Sequence, residues 1–288
     1  SLGFFFGGLA PSHEMLLCDS INLREDSFLD IYWDGEVQMS TLSIPLSQEI
    51  ATDGFEKFKA NHLITKQFIL GTDSFGRDML SRLMAGTLVS LSVGFISVLI
   101  SLCIGLLLGA IAGYYGGRVD ALIMWFINVI WSIPTLLMVI AITLVMGKGF
   151  VQVFIAVGLT MWVEVARVVR GQVLSLEQLE YIQAAKVLGF GDLRIMFGHI
   201  LPNIMSPIIV ISAANFAAAI LIESGLSFLG IGAQPPMSSW GAMIKDHYNY
   251  IILGKPYLAL IPGFCIMSLV MAFMLIGNTL RDALDVKV

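Results

Sequence analysis

Charge is the first thing this chain lacks. Of its 288 residues 13% are Asp, Glu, Lys or Arg, while 57% are hydrophobic, and its mean hydropathy is +0.85. A soluble globule of this length needs a far more polar surface, so that class is excluded. Cysteine is scarce: Cys103 and Cys265 lie inside apolar runs, and Cys18 is alone in the polar N-terminal region, which leaves no local pair for a structural disulfide. His13, His62, His199 and His247 are scattered without metal-ligand spacing, so no metal is assigned. No G-x-x-x-x-G-K-[ST] phosphate loop occurs; "GKGF" at 147–150 lacks the preceding glycine and the Ser/Thr. The serines of "SLSVG" sit in an apolar run with no histidine to act as base, so no catalytic residue is assigned. The net charge of −5 does not suggest nucleic acid as a partner. The long apolar runs are continuous rather than alternating, which argues against a membrane barrel.

Long unbroken apolar runs are what is present. They fall at roughly 88–113, 121–146, 150–169, 204–230 and 257–280, each near the roughly 20 residues a bilayer-spanning helix needs. The opening "SLGFFFGGLAP" is too short to span and has no basic n-region; residues 1–10 are read as the outer end of a truncated first membrane helix, which would make six. The expected fold is therefore an all-α polytopic membrane protein, because only helices and closed barrels satisfy the backbone in lipid. Residues 11–70 interrupt it with a polar insertion, read as extracytoplasmic, holding ten acids against four bases. Within it "STLSIPLS" suggests a short strand. Residues 71–87 predict an interfacial amphipathic helix, with Met79, Leu80, Leu83 and Met84 opposite Arg77, Asp78 and Arg82. A membrane core over 88–280, carrying a polar loop at 171–203, and a tail over 281–288 complete the chain.

Lysine and arginine near the span ends set the orientation. Arg118, Arg167, Arg170, Lys186, Arg194, Arg281 and Lys287 fall on one side; the short loops opposite hold Lys148, Lys245 and Lys255. Seven against three places 171–203 in the cytoplasm.

Several features interrupt the apolar runs. Gly105, Gly109 and Gly113 form a small-x-x-x-small face for close helix contact. Pro134 predicts a kink in the 121–146 span, as a structural bend or as a hinge beside a path; Asn128 and Ser132 precede it as candidates to line that path. Glu164 has Arg167 three residues on, the spacing of a surface ion pair. Glu223 has no local base, so it either faces a cavity or satisfies a neighbouring helix. The aromatics of "AQPPMSSWGAMIKDHYNYIILGKPY" suit an interface, and Trp240, Lys245 and Asp246 are candidates for contact with an outer partner.

Residues 179–203, "LEYIQAAKVLGFGDLRIMFGHILPN", are polar and lie between two apolar blocks. Leu176, Leu179, Ile182, Ala185 and Leu188 recur at helical spacing; Gly189 ends that helix, Asp192 starts another, and Pro202 is expected to end it. The pattern is helix, glycine turn, helix, with "GFG" at the corner, which a simple linker between spans does not require.

This stretch resembles the EAA loop of the membrane subunits of bacterial ABC importers, in the peptide/nickel transporter permease family. The family's Glu-Ala-Ala, following glycine and His-x-Leu-Pro-Asn stand here as "QAAKVLG" and "HILPN", with Gln183 in place of the glutamate and Glu180 one turn earlier. "GTDSFGRDMLSRLMAGT", "GYYGGRVD", "GLTMWVEVARVVRGQVLSL", "ESGLSFLGIGAQPPMSSWGAMI" and "IGNTLRDALD" are similar to further family segments in order, the last with Asn278 where an aspartate is usual. The likeness is greatest to the second, "C"-type, permease of oligopeptide and dipeptide importers. It implies a type I importer permease in a bacterial inner membrane, paired with a homologous permease, two ATPase subunits and an extracytoplasmic substrate-binding protein, and carrying peptide. ATP and Mg would bind the ATPases, and this chain would hold no cofactor. The resemblance assigns ATPase docking to Glu180, Gln183, Ala184, Ala185, Gly189, Phe190, Gly191, Asp192 and Leu193. An importer of nickel or another small solute shares these motifs. An ion-coupled transporter predicts internal repeats and paired midplane charges, which the sequence does not show.

Overall fold

The computed structural model describes residues 20–24, 28–35, 38–45, 68–73, 76–147, 149–234 and 237–284, and the chain divides into two compact units, 1–84 and 85–288. The truncated helix expected over 1–10 and residues 285–288 of the expected tail lie outside the described residues.

In the first unit β1 (Ser20–Arg24), β2 (Phe28–Gly35) and β3 (Gln38–Pro45) form an antiparallel meander in the order β1-β2-β3. Ser20 lies opposite Tyr32, and Phe28 opposite Pro45. The strand expected in "STLSIPLS" coincides with the last six residues of β3, 40–45, and the final two residues of that stretch lie outside the described residues. The alternation of Leu29, Ile31 and Trp33 in β2 carries the same period-2 signal.

Residues 71–73 and 76–78 fold around Asp73, with the Gly76 N–H donating to Asp73 O and the Asp73 N–H to Arg77 O, both at 2.9 Å. The Asp73 carboxylate, shielded from solvent, accepts from the Arg77 backbone N–H at 2.8 Å, from Arg77 Nε at 2.8 Å and from Arg82 Nη1 at 2.6 Å. Burial alone would push the Asp73 pKa up, but the hydrogen bonds and charges of Arg77 and Arg82 outweigh it and hold the carboxyl below its ordinary value of 3.8. Asp78 then accepts from Leu80 N–H at 3.1 Å and Ser81 N–H at 3.3 Å, the contacts of a helix N-cap.

Helix α1 (Met79–Tyr115) begins there and is 37 residues long. At 1.5 Å per residue it measures about 56 Å, well beyond a hydrocarbon core of about 30 Å. The separate amphipathic helix expected over 71–87 is thus corrected: 79–87 are the first turns of α1. Gly86 does not break it, because that glycine makes room for a partner: a Cβ there would lie 2.5 Å from the Trp240 indole.

Four helices or continuous helical runs among the described residues are long and apolar enough to cross a membrane, and a bent pair makes a fifth. After α1 come α2 (Gly117–Trp131) and α3 (Thr135–Met146). The expected kinked span over 121–146 is instead broken, the two halves meeting at 87°. Pro134 has no N–H and disfavours helical backbone at Ile133, and its own ψ of 124° is extended. Next, α4 (Phe150–Glu177) is the most enclosed span and packs against α2, α3 and the later span α7 (Met205–Phe228). Between them lie α5 (Glu180–Val187) and α6 (Asp192–Ile195). The helix does not end at Pro202: a π turn (Met196–Ile200) and a 3₁₀ turn (Leu201–Ile204) carry it into α7 as one run, Asp192–Phe228. Those altered hydrogen-bond spacings take up the donor that proline lacks. Finally α8 (Trp240–His247) packs on both α7 and α9 (Tyr257–Leu284), so 281–284 of the expected tail are helical.

The glycine face of α1 meets α4 within the subunit. A Cβ on Gly105 would lie 2.5 Å from Val165 Cβ, on Gly109 2.5 Å from the Ala166 carbonyl, and on Gly113 2.8 Å from Val173 Cβ. The three glycines let the two backbones touch along three successive turns.

Candidate functional site

The polar segment is a rigid corner. Helix α5 ends with the Gly189 N–H donating to Lys186 O at 3.0 Å and the Phe190 N–H to Ala185 O at 3.1 Å. That pair is the Schellman pattern, and Gly189 has the φ of +77° it requires. The inward side is locked: Ile182, Ala185, Ile195 and Ile200 are buried with Tyr114, Val165, Val169 and Val173 in one apolar cluster. Polar ties reinforce it. Tyr114 Oη donates to Asp192 Oδ1 at 2.9 Å, Lys186 pairs with Glu177, and Gln183 Nε2 donates to Glu177 O at 2.7 Å. Phe190 is half-buried, stacked on His199 at 6.1 Å and covered by Arg194 at 4.5 Å.

The outward side is apolar and bare. Val187 is 88%, Leu188 73% and Leu193 66% exposed. Glu180, Gln183, Ala184, Gly189, Gly191 and Asp192 are exposed around them. Of the residues singled out from sequence, Ala185 and Phe190 therefore support the corner from within, while the others lie on its surface. Sequence reasoning missed Val187, an apolar residue off the stripe, and it placed Leu188 on the stripe with Ile182 and Ala185, whereas the Gly189 turn carries Leu188 away from the buried cluster to the surface.

The other candidates separate in the same way. At the break between α2 and α3, Asn128 and Ser132 are exposed. Asn128 Oδ1 accepts from Arg167 Nη2 at 2.6 Å, and Ser132 Oγ donates to Val129 O at 2.7 Å. The ion pair expected between Glu164 and Arg167 is absent, because the Arg167 guanidinium lies 3.4 Å from the Trp131 ring centroid and reaches Asn128. Arg170 Nη2 instead ties α4 to α2 through Asp120 Oδ2 at 2.6 Å. A cleft of about 230 Å³ opens beside the break, between α2, α3, α4 and α7. Glu223 is on α7 and wholly buried, and Ser227 Oγ donates to its Oε1 at 2.7 Å. Trp240 is buried against Gly86, which removes it from the outer surface; Lys245 and Asp246 are exposed on α8.

Long apolar helices, one pair of them meeting at a sharp break, define an integral membrane protein. Residues 105–288 match the family described as the binding-protein-dependent transport system inner membrane component, and the chain belongs to that family. It is 44% identical over 218 residues to the glutathione transport system permease protein GsiD of Pectobacterium atrosepticum, covering 76% of this chain and 72% of that one. It is likewise 44% identical to the dipeptide transport system permease protein DppC of Alkalihalophilus pseudofirmus, covering 75% and 71%. Among solved structures, an inward-facing form of the MetNI methionine ABC transporter is similar in fold, with a TM-score of 0.60 at 17% identity over 71% of this chain and 97% of that one. The chain is thus an inner-membrane component of a binding-protein-dependent transport system.

Proposed function

We propose that this chain is the second permease subunit of an ATP-driven peptide importer and that the corner at 180–193 couples it to a cytoplasmic ATPase. One observation carries the coupling: a corner locked from inside by a buried cluster and a Schellman turn turns Val187, Leu188 and Leu193 outward, beside Ala184 and Gly189. Exposed apolar side chains on a rigid support suit a partner's groove. Closure of the ATPase dimer on ATP would move two such corners as rigid bodies and switch the permease pair between inward- and outward-open states. The chain supplies no nucleotide site of its own; ATP and Mg belong to the ATPases. Peptide cargo follows from relatives named for glutathione and dipeptides. A homologous permease completes the path, with Asn128, Ser132 and Pro134 at the broken span facing it, and Lys245 and Asp246 meet the extracytoplasmic binding protein.

Co-purification from the native membrane tests the assembly: two phosphate-loop ATPases, a second permease and a peptide-binding protein are expected. In vesicles, Val187→Asp with Leu188→Asp should abolish ATP-dependent uptake while the membrane unit stays folded. Uptake that continues with both substitutions, or that runs on an ion gradient without ATP, overturns the reading.

A further inference from the structure

We infer that the cleft beside the Pro134 break is a cargo subsite in which Glu164 receives a cationic group, the α-ammonium of a peptide. This rests on the importer reading above. Trp131, Met138 and Ala218 give the cleft apolar walls, and Thr135, Thr160 and Glu164 are its polar groups. Thr160 Oγ1 already donates to Val157 O at 2.8 Å. Glu164 is the one charged side chain on the lining, and it is exposed to the cleft.

A carboxylate one turn from the end of a membrane span is stabilised by an opposite charge. The nearest source is Arg167, three residues on and correctly spaced for a helix-surface pair. It is committed elsewhere: Nη2 reaches Asn128 Oδ1 at 2.6 Å and the guanidinium lies on Trp131. Among the described residues Glu164 makes neither an ion pair nor a hydrogen bond. The fold thus turns a matched cation away from an acid and leaves that acid lining a cleft. A group arriving there is favoured when it is cationic, and a carboxylate is repelled. The α-ammonium is the cation every unmodified peptide carries. The cleft's volume of about 230 Å³ is below the roughly 300–1,000 Å³ of pockets that enclose a whole small ligand. It therefore takes one end of a peptide and leaves the remainder in the path, a contact independent of side-chain sequence.

The complete importer, with both permeases, both ATPases and the binding protein, is reconstituted in vesicles, and peptide uptake per ATP hydrolysed is measured for Glu164→Gln and Glu164→Asp. Loss of a charge-assisted contact predicts a fall of about tenfold for Glu164→Gln, with partial recovery for Glu164→Asp. A benzophenone side chain at Met138 should cross-link labelled peptide in the Glu164 protein and do so less in the Glu164→Gln protein. Unchanged uptake per ATP with unchanged cross-linking overturns the subsite. So does a fall in uptake strictly parallel to ATP hydrolysis, which marks a gating acid, or a Glu164→Gln complex that does not assemble, which marks a permease–permease pair. Wild-type vesicles that take up no peptide on ATP overturn the importer reading itself.

Discussion

Single residues in this chain carry roles that their chemistry alone did not distinguish. Gly105, Gly109 and Gly113 read as a contact face from spacing, and the face meets α4 with almost no clearance. Gly109 is the tightest against backbone, which cannot move aside as a side chain can. Gly109→Leu is expected to destabilise the membrane unit by about 3 kcal/mol or more, the upper range for overpacking, seen as a lower melting temperature and loss of a monodisperse peak in detergent. Asp73 is a different case, since no pattern in the sequence distinguished it from other loop acids. Its carboxylate holds Arg77 and Arg82 together, and Arg82 is largely shielded. Asp73→Asn should cost about 2 kcal/mol by removing the charge that the Arg77 and Arg82 guanidinium bonds address. The Asp73 pKa is lowered by folding, so its stabilisation is complete above its ordinary value of 3.8 and is lost as pH falls through the lower folded value. A pH titration of stability should therefore show a loss on that acid flank that the Asp73→Asn variant lacks.

At the level of elements, helix and turn at 180–193 were legible because local rules suffice there: apolar spacing, a C-terminal glycine and an N-terminal aspartate all agree. What holds the corner against the spans was not legible, because its contacts are distant in sequence. Tyr114, at the end of α1, reaches Asp192 on α6, and nothing local to either residue indicates the other. Tyr114→Phe should remove about 1 kcal/mol of support and lower uptake per ATP while leaving the helices intact by circular dichroism. Gly189→Ala forces a Cβ into a left-handed residue at about 1–2 kcal/mol and should loosen the same corner more. The Pro134 break shows the opposite limit. A proline marks where a helix is disturbed, but the 87° angle between α2 and α3 is set by what each half packs against. Pro202 likewise marks a disturbance, which π and 3₁₀ turns absorb without ending the run.

At the scale of the molecule, residues 85–288 form a compact unit by themselves. Deleting 20–60, which includes the whole β1–β3 sheet, should therefore leave that unit extractable and folded, measured by its melting temperature in detergent. Composition was enough to determine the solvent: a chain this apolar, in blocks near bilayer length, has helices in lipid as its only ordered option once a barrel is excluded. Local sequence was also enough for the glycine face and the helix–turn–helix, since both are short-range patterns imposed by backbone geometry. Only the tertiary structure decided which side chains are available. It buried Trp240 against Gly86 and enclosed Glu223. It placed Ala185 inside the corner and Val187 and Leu188 outside it, and it drew Arg167 from Glu164 to Asn128 and Trp131. Each of these outcomes depends on a partner tens of residues away, and exposure and charge pairing are properties of such partners rather than of the residue itself.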